Sequence, residues 1–122
     1  MTGVWKDSRP ACQPVLPLAA PEALHVLLLR RDGTRIATVR RTGDRHGITL
    51  PLWSLARIVA QTGAASLVMV HNHPSGDPRP SRADMDATHA VWRMARMLGA
   101  TLRDHLIIGR DGTFSFRAQG ML

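Results

Sequence analysis

The apolar run Leu67-Val68-Met69-Val70 leads directly into His71-Asn72-His73-Pro74-Ser75-Gly76-Asp77, and Ser81 and Asp84 follow. This stretch restricts the fold more than any other. An apolar run this short, bounded by turn residues, reads as a buried strand. Side chains alternate along a strand, so imidazoles at i and i+2 leave from the same face. Pro74, Gly76, Pro78 and Pro80 then force a loop, and Ser81-x-x-Asp84 has the form of a helix start. The order is strand, tight loop, helix, and it allows the Asp84 carboxylate to fold back toward His71 and His73. Two imidazole nitrogens and one carboxylate oxygen, with a fourth position open to water, match a catalytic zinc site. The plainer alternative is a wet loop with two histidines and a capped helix. The combination of the pair, the turn residues and S-x-x-D favours the metal.

Elsewhere the pattern gives alternating strands and helices. Leu24–Leu29 reads as a buried strand, Asp32-Gly33 as a hairpin turn, and Arg35–Val39 as the returning strand. Ile48–Leu50 reads as a short extended stretch. Pro51 suits the first turn of a helix whose apolar face is Leu52, Leu55, Ala56 and Val59 and which Gly63 ends. A second helix is expected from Ser81 to about Leu98, with Ala83, Ala87, Ala90, Val91, Met94 and Leu98 inward and Gly99 at its end. Thr101–Ile108, Arg110-Asp111-Gly112 and Thr113–Phe116 form a closing hairpin. The order predicts a mixed β-sheet flanked by helices, an α/β/α fold, over residues 22–122. Residues 1–21 hold four of the eight prolines and read as a proline-rich arm.

The motif residues His71, His73, Pro74, Ser75, Gly76, Asp77, Pro80, Ser81 and Asp84 resemble the JAMM metalloprotease motif of the JAB/MPN superfamily, in the form found in the bacterial RadC family. Weaker similarity lies upstream, at Glu22 and Val26-Leu27-Leu28-Leu29, and downstream, at Asp104-His105-Leu106-Ile107-Ile108-Gly109. Arg40 to Thr49 departs from the family's usual sequence. The resemblance implies one zinc per chain held by His71, His73 and Asp84, with water as fourth ligand. It implies that Ser81 helps hold the oxyanion and that Glu22 relays a proton from the activated water to the leaving amine. Glu22 is the only glutamate; the other eight acidic residues are aspartates. From spacing alone, Ser81 serves equally well as a helix cap, and Glu22 as a solvated residue before a strand. The implied function is a zinc-dependent hydrolase that cleaves a peptide or isopeptide bond in a protein or peptide substrate.

Several residues near the motif read as bystanders. His89 is rotated away from Asp84 on the helix, Asp86 suits a surface ion pair, and Gly76-Asp77-Pro78 is turn chemistry. Met85, Trp92, Met94 and Met97 read as core and helix surface. His105 fits either a place behind the site or the packing of the last strand. The tripeptide His71-Asn72-His73 is not the dispersed residue set of HNH nucleases, and the H-x-E with P-C-x-x-C pattern of nucleobase deaminases is missing.

Composition limits the remaining classes. A length of 122 residues and 44% hydrophobic content fit one globular domain. Cys12 alone can form neither an internal disulfide nor a cysteine zinc site, which fits a reducing cytoplasm. Prolines interrupt any signal-peptide core, and no apolar run is long enough for a membrane span. A cytoplasmic protein is expected. The net charge of +7, with fifteen of sixteen basic residues Arg, raises the other reading: a RadC-like, DNA-repair-associated or nucleic-acid-binding protein with a structural or vestigial zinc site. The arginines are spread and aromatic residues are few, so nucleic-acid binding is expected to be weak. RadC-family proteins also carry an N-terminal helix-hairpin-helix segment where this sequence has the proline-rich arm, which weakens the expectation of a DNA-directed role.

Overall fold

A computed structural model describes residues 22–43 and 48–122. The proline-rich arm, residues 1–21, lies outside them. Among the described residues, five strands and two helices follow in the order β1 (Ala23–Leu29), β2 (Arg35–Thr42), α1 (Leu52–Thr62), β3 (Ser66–Asn72), α2 (Arg82–Met97), β4 (Thr101–Gly109) and β5 (Gly112–Ser115). The strands make one mixed sheet ordered β2-β1-β3-β4-β5. Only β3 and β4 are parallel, because α2 crosses between them; the other pairs are antiparallel.

β1 and β3 are largely apolar because residues on both their faces are buried. Leu24, Val26 and Leu28 of β1 and Leu67 and Met69 of β3 pack with Leu55 and Val59 of α1 and Val91, Met94 and Ala95 of α2. The described helices therefore share one face of the sheet. On the other face Leu27, Leu29, Val68 and Val70 form a second buried cluster, against which Ile108 packs. Full burial of side chains of this kind contributes about 1.5–3 kcal/mol each.

Most element boundaries follow the sequence pattern, and the differences have physical causes. The hairpin turn holds Gly33 at φ 89°, in the left-handed region, and the Asp32 carboxylate accepts from the Thr34 N–H at 2.9 Å. β2 runs on to Thr42, beyond the expected Val39, because its pairing with β1 continues to Ala23↔Thr42 although its last three residues are exposed. Among the described residues Ile48–Leu50 joins no strand; Ile48 and Leu50 instead press partly buried side chains onto the core. Pro51 stands just before the first helical residue of α1, with extended backbone, and Gly63 closes the helix at φ 67°.

The buried face of α2 is turned from the expected one. Asp84, Thr88, Val91, Met94 and Ala95 are buried, while Ala83 and Leu98 are exposed. An apolar pattern alone would not direct an aspartate and a threonine inward; polar partners across the sheet hold them there. Those partners are histidines.

Candidate metal centre

β1 and β3 bring the histidines and Glu22 together. Leu24 pairs with His71 in antiparallel register, so the start of β1 lies beside the end of β3. Asn72, between the two histidines, accepts a hydrogen bond from the Ala23 N–H at 2.6 Å. This bond fixes the backbone next to Glu22. The Glu22 carbonyl also accepts from the Gly43 N–H at 2.8 Å. Glu22 Oε2 ends 2.6 Å from His71 Nε2. Asn72 was not among the residues singled out from sequence, although a polar residue at the end of a strand buried on both faces demands a partner.

The loop after β3 places His73. The His73 N–H bonds to the Ile108 carbonyl at 2.8 Å, and the Gly76 carbonyl accepts from the Asp111 N–H at 3.0 Å. The loop thus lies directly on the β4–β5 turn. Gly109 permits this approach: a Cβ there would overlap the Gly76 carbonyl. The Asp77 side chain grips Arg79, which holds its carboxyl below the usual range, while its backbone carbonyl lies 2.9 Å from His73 Nδ1. Asp77 is a turn residue, as the sequence suggests, and its carbonyl also orients a site histidine.

α2 supplies the acid. Ser81 and Asp84 form a reciprocal capping box: Asp84 N–H donates to Ser81 Oγ at 3.1 Å, and Ser81 N–H donates to Asp84 Oδ2 at 2.8 Å. The same carboxylate reaches both imidazoles, with Oδ1 3.3 Å from His71 Nδ1 and Oδ2 3.0 Å from His73 Nε2. His89 is exposed beside Trp92, and Asp86 pairs with Arg82, so neither joins the group. His105 is buried in β4 behind His71, with ring centroids 5.9 Å apart.

These distances define an electrostatic deficit. Four ring nitrogens, two on His71 and two on His73, each face an oxygen acceptor: Glu22, Asp84 twice and the Asp77 carbonyl. Two neutral imidazoles carry only two N–H groups between them. With Nδ1 of His73 donating to Asp77, neutral His73 would turn a lone pair toward Asp84 Oδ2. Two more positive charges are needed, supplied by two protons or by one divalent cation. Protonation shows the same pull. Burial opposes charge on His71, but the Asp84 and Glu22 carboxylates outweigh it and raise its pKa. Burial likewise opposes ionisation of Asp84, yet bonds from His71 and Ser81 hold its carboxyl well below the usual carboxylate range.

Glu22, His71 and His73 each offer a donor atom, and these lie within 4.8 Å of one another, so the three are positioned to bind a metal ion. Nitrogen with carboxylate oxygen is a donor set that suits zinc-class ions. The group lines a cleft of about 590 Å³. Ser81 and Asp84 share one wall, and Ile48, Leu50, Leu52, Met69 and Ala87 give the cleft an apolar side.

The fold and this cluster agree with the family comparison. Residues 5–121 match the family described as RadC-like JAB domain. The chain belongs to that family. The match begins within the segment read from sequence as an arm. The chain is similar to a UPF0758 protein of Ruegeria pomeroyi, at 37% identity over 119 residues, covering 97% of this chain and 53% of that protein. A UPF0758 protein of Rhodobacter capsulatus is 38% identical over 121 residues, covering 97% and 56%. One from Protochlamydia amoebophila is 54% identical over 59 residues, covering 48% and 26%. The chain spans about half the length of the first two relatives. No helix among the described residues is long and apolar enough to cross a membrane.

Proposed function

We propose that this chain is a zinc-dependent hydrolase of the JAMM metallopeptidase type, acting on a peptide or isopeptide bond. The observation that carries the reading is the convergence of Glu22, His71, His73 and Asp84, in which every imidazole nitrogen of His71 and His73 faces an oxygen acceptor. In this reading His71, His73 and Asp84 hold one zinc ion and Glu22 is the base. When bound, zinc lowers the pKa of a coordinated water to about 7 and polarises the carbonyl under attack.

The two carboxylates differ in a way that supports this division. Asp84 has a side chain only 10% exposed, tied to the helix start and to both histidines. Glu22 has a side chain 30% exposed, at the cleft. A fixed carboxylate suits coordination. A freer one suits proton transfer, since it must take a proton from the attacking water and return it to the leaving nitrogen; such a general base contributes roughly 10²–10⁴ in rate. Ser81 Oγ accepts from the Asp84 N–H, which leaves its own O–H to donate toward a developing oxyanion. Cap and oxyanion donor are therefore compatible roles. The apolar side of the cleft suits the side chains of a polypeptide substrate.

Glu22→Gln tests the assignment because it keeps size and hydrogen bonding but removes the base. Zinc content should stay at one per chain, measured by elemental analysis, while hydrolysis of a peptide or isopeptide substrate falls by roughly 10²–10⁴. Retained turnover would exclude Glu22 as base. Wild-type protein that takes up no zinc at neutral pH would remove the metallopeptidase reading altogether.

A further inference from the structure

Behind the metal-binding histidines lies a buried pair that the proposed chemistry does not use. His105 sits on β4, aligned with Met69 of the parallel neighbour β3, and Thr88 sits one turn after Asp84 on α2. Thr88 Oγ1 is 2.6 Å from the Asp84 backbone carbonyl and 2.6 Å from His105 Nδ1. A hydroxyl has one proton. The Asp84 carbonyl can only accept, so it takes that proton, and Thr88 must accept from His105. His105 Nδ1 therefore carries the hydrogen. The other ring nitrogen agrees: Nε2 is buried with no hydrogen-bond partner among the described residues. A bare lone pair there is tolerable, whereas an orphaned N–H is the rarer and costlier case.

The ring is clamped as well as oriented. Phe116 stacks on it with centroids 4.8 Å apart and 5° between planes, and His71 lies on it at 5.9 Å and 22°. Phe116 is itself fixed by its N–H bond to the His105 carbonyl at 3.1 Å. One side of the pair thus grips the backbone of Asp84, and the other backs the ring of His71. The 3.3 Å contact between Asp84 and His71 joins an element on α2 to one on β3.

We propose that Thr88 and His105 are positioning residues that set the spacing between Asp84 and His71, through a hydrogen-bond relay from the Asp84 carbonyl to His105 Nδ1 and the stacking of His105 behind His71. The inference rests on the metal-site reading only for its metal-affinity arm; its spectroscopic arm is independent of metal. Thr88→Val removes the hydroxyl at nearly constant shape, Thr88→Ser restores it, and His105→Phe keeps a stacking ring without the donor.

The test uses the full chain. In the first arm, nitrogen-15 spectra of the metal-free wild type should show His105 protonated at Nδ1, and Thr88→Val should shift the His71 ring signals. In the second arm, zinc affinity by chelator competition should fall about tenfold in Thr88→Val and in His105→Phe, with Thr88→Ser near wild type. The double variant should lose little more than either single one, because both break the same relay. Protonation of His105 at Nε2 overturns the proposal, and this measurement needs no variant to fold. So does a Thr88→Val protein with unchanged His71 signals and zinc affinity but a lower melting temperature, the result of packing alone. A wild type that binds no zinc removes the metallopeptidase reading and leaves the spectra to decide on the relay.

Discussion

Lowering the pH should destabilise this protein through His105 before its carboxylates matter. The ring is 1% exposed, and burial, reinforced by the charge on His71, pushes its pKa down to about 3. In the unfolded chain it titrates near 6.5. The folded value lies below the unfolded one, so the unfolded state binds a proton first as pH falls. Stability is then lost progressively from about pH 6.5 to about pH 3. The slope approaches 1.36 kcal/mol per pH unit, giving a loss of about 2 kcal/mol between roughly pH 6 and pH 4.5. His71 cannot offset this. Its pKa is raised, so its stabilisation is lost only as pH rises above the unfolded value and is fully present below it. His25, lowered by burial and by Arg40, adds a loss in the same direction. The depressed carboxyl of Asp84 begins to act only as pH falls through its unfolded value of 3.8, at the low end of this window. Urea unfolding with a chelator present, at pH values across the window, measures the slope. His105→Phe should flatten most of it. A wild-type stability unchanged over this range, or a variant that declines as steeply, would refute the argument.

Asp84→Asn should lose zinc binding while keeping α2, since an amide still offers an oxygen to the Ser81 N–H; elemental analysis and circular dichroism separate the two effects. Gly109→Ala should destabilise by about 1–3 kcal/mol, because neither the Gly76 carbonyl nor the β4–β5 turn can give way easily, and it should weaken zinc binding through His73; thermal unfolding and chelator competition check both. The arginines at 35, 40 and 41 are exposed on β2, and DNA binding through them should be weak, indifferent to sequence and gone at physiological salt. Sub-micromolar retention at about 0.15 M salt in a filter-binding assay would instead favour a nucleic-acid-directed role.

Much of this was legible in the chain. Leu67–Val70 marked β3, the i, i+2 spacing put both histidines on the cleft side, and Ser81-x-x-Asp84 marked the helix start. These signals are local, set by strand alternation and capping chemistry. The inward turn of Thr88 was not legible, because helical periodicity detects apolar residues and Thr88 is buried by a polar partner seventeen residues away. Asn72 hides for the same reason, its partner being forty-nine residues distant. Ile48–Leu50 has the composition of a strand but pairs with no neighbour among the described residues. Glu22 was reached through family resemblance; only the Leu24↔His71 register explains in physical terms why a residue so far back in the chain meets His71.

The carboxylate of Asp84 belongs to two circuits at once. Its Oδ2 receives the Ser81 N–H, closing the first turn of α2, and both its oxygens face the imidazoles. Helix onset and site assembly are consequently one event. The cluster cannot be complete while that turn is frayed, and an ion held by Asp84, as proposed, would keep the turn closed by mass action, stabilising it as RT ln(1 + [L]/Kd). In the proposed site, the loop from His73 to Pro80 would be tied to a bound ion at both its ends, through His73 and, just beyond Pro80, through Asp84. An ion would add to the order that the bonds to Ile108 and Asp111 already give this segment.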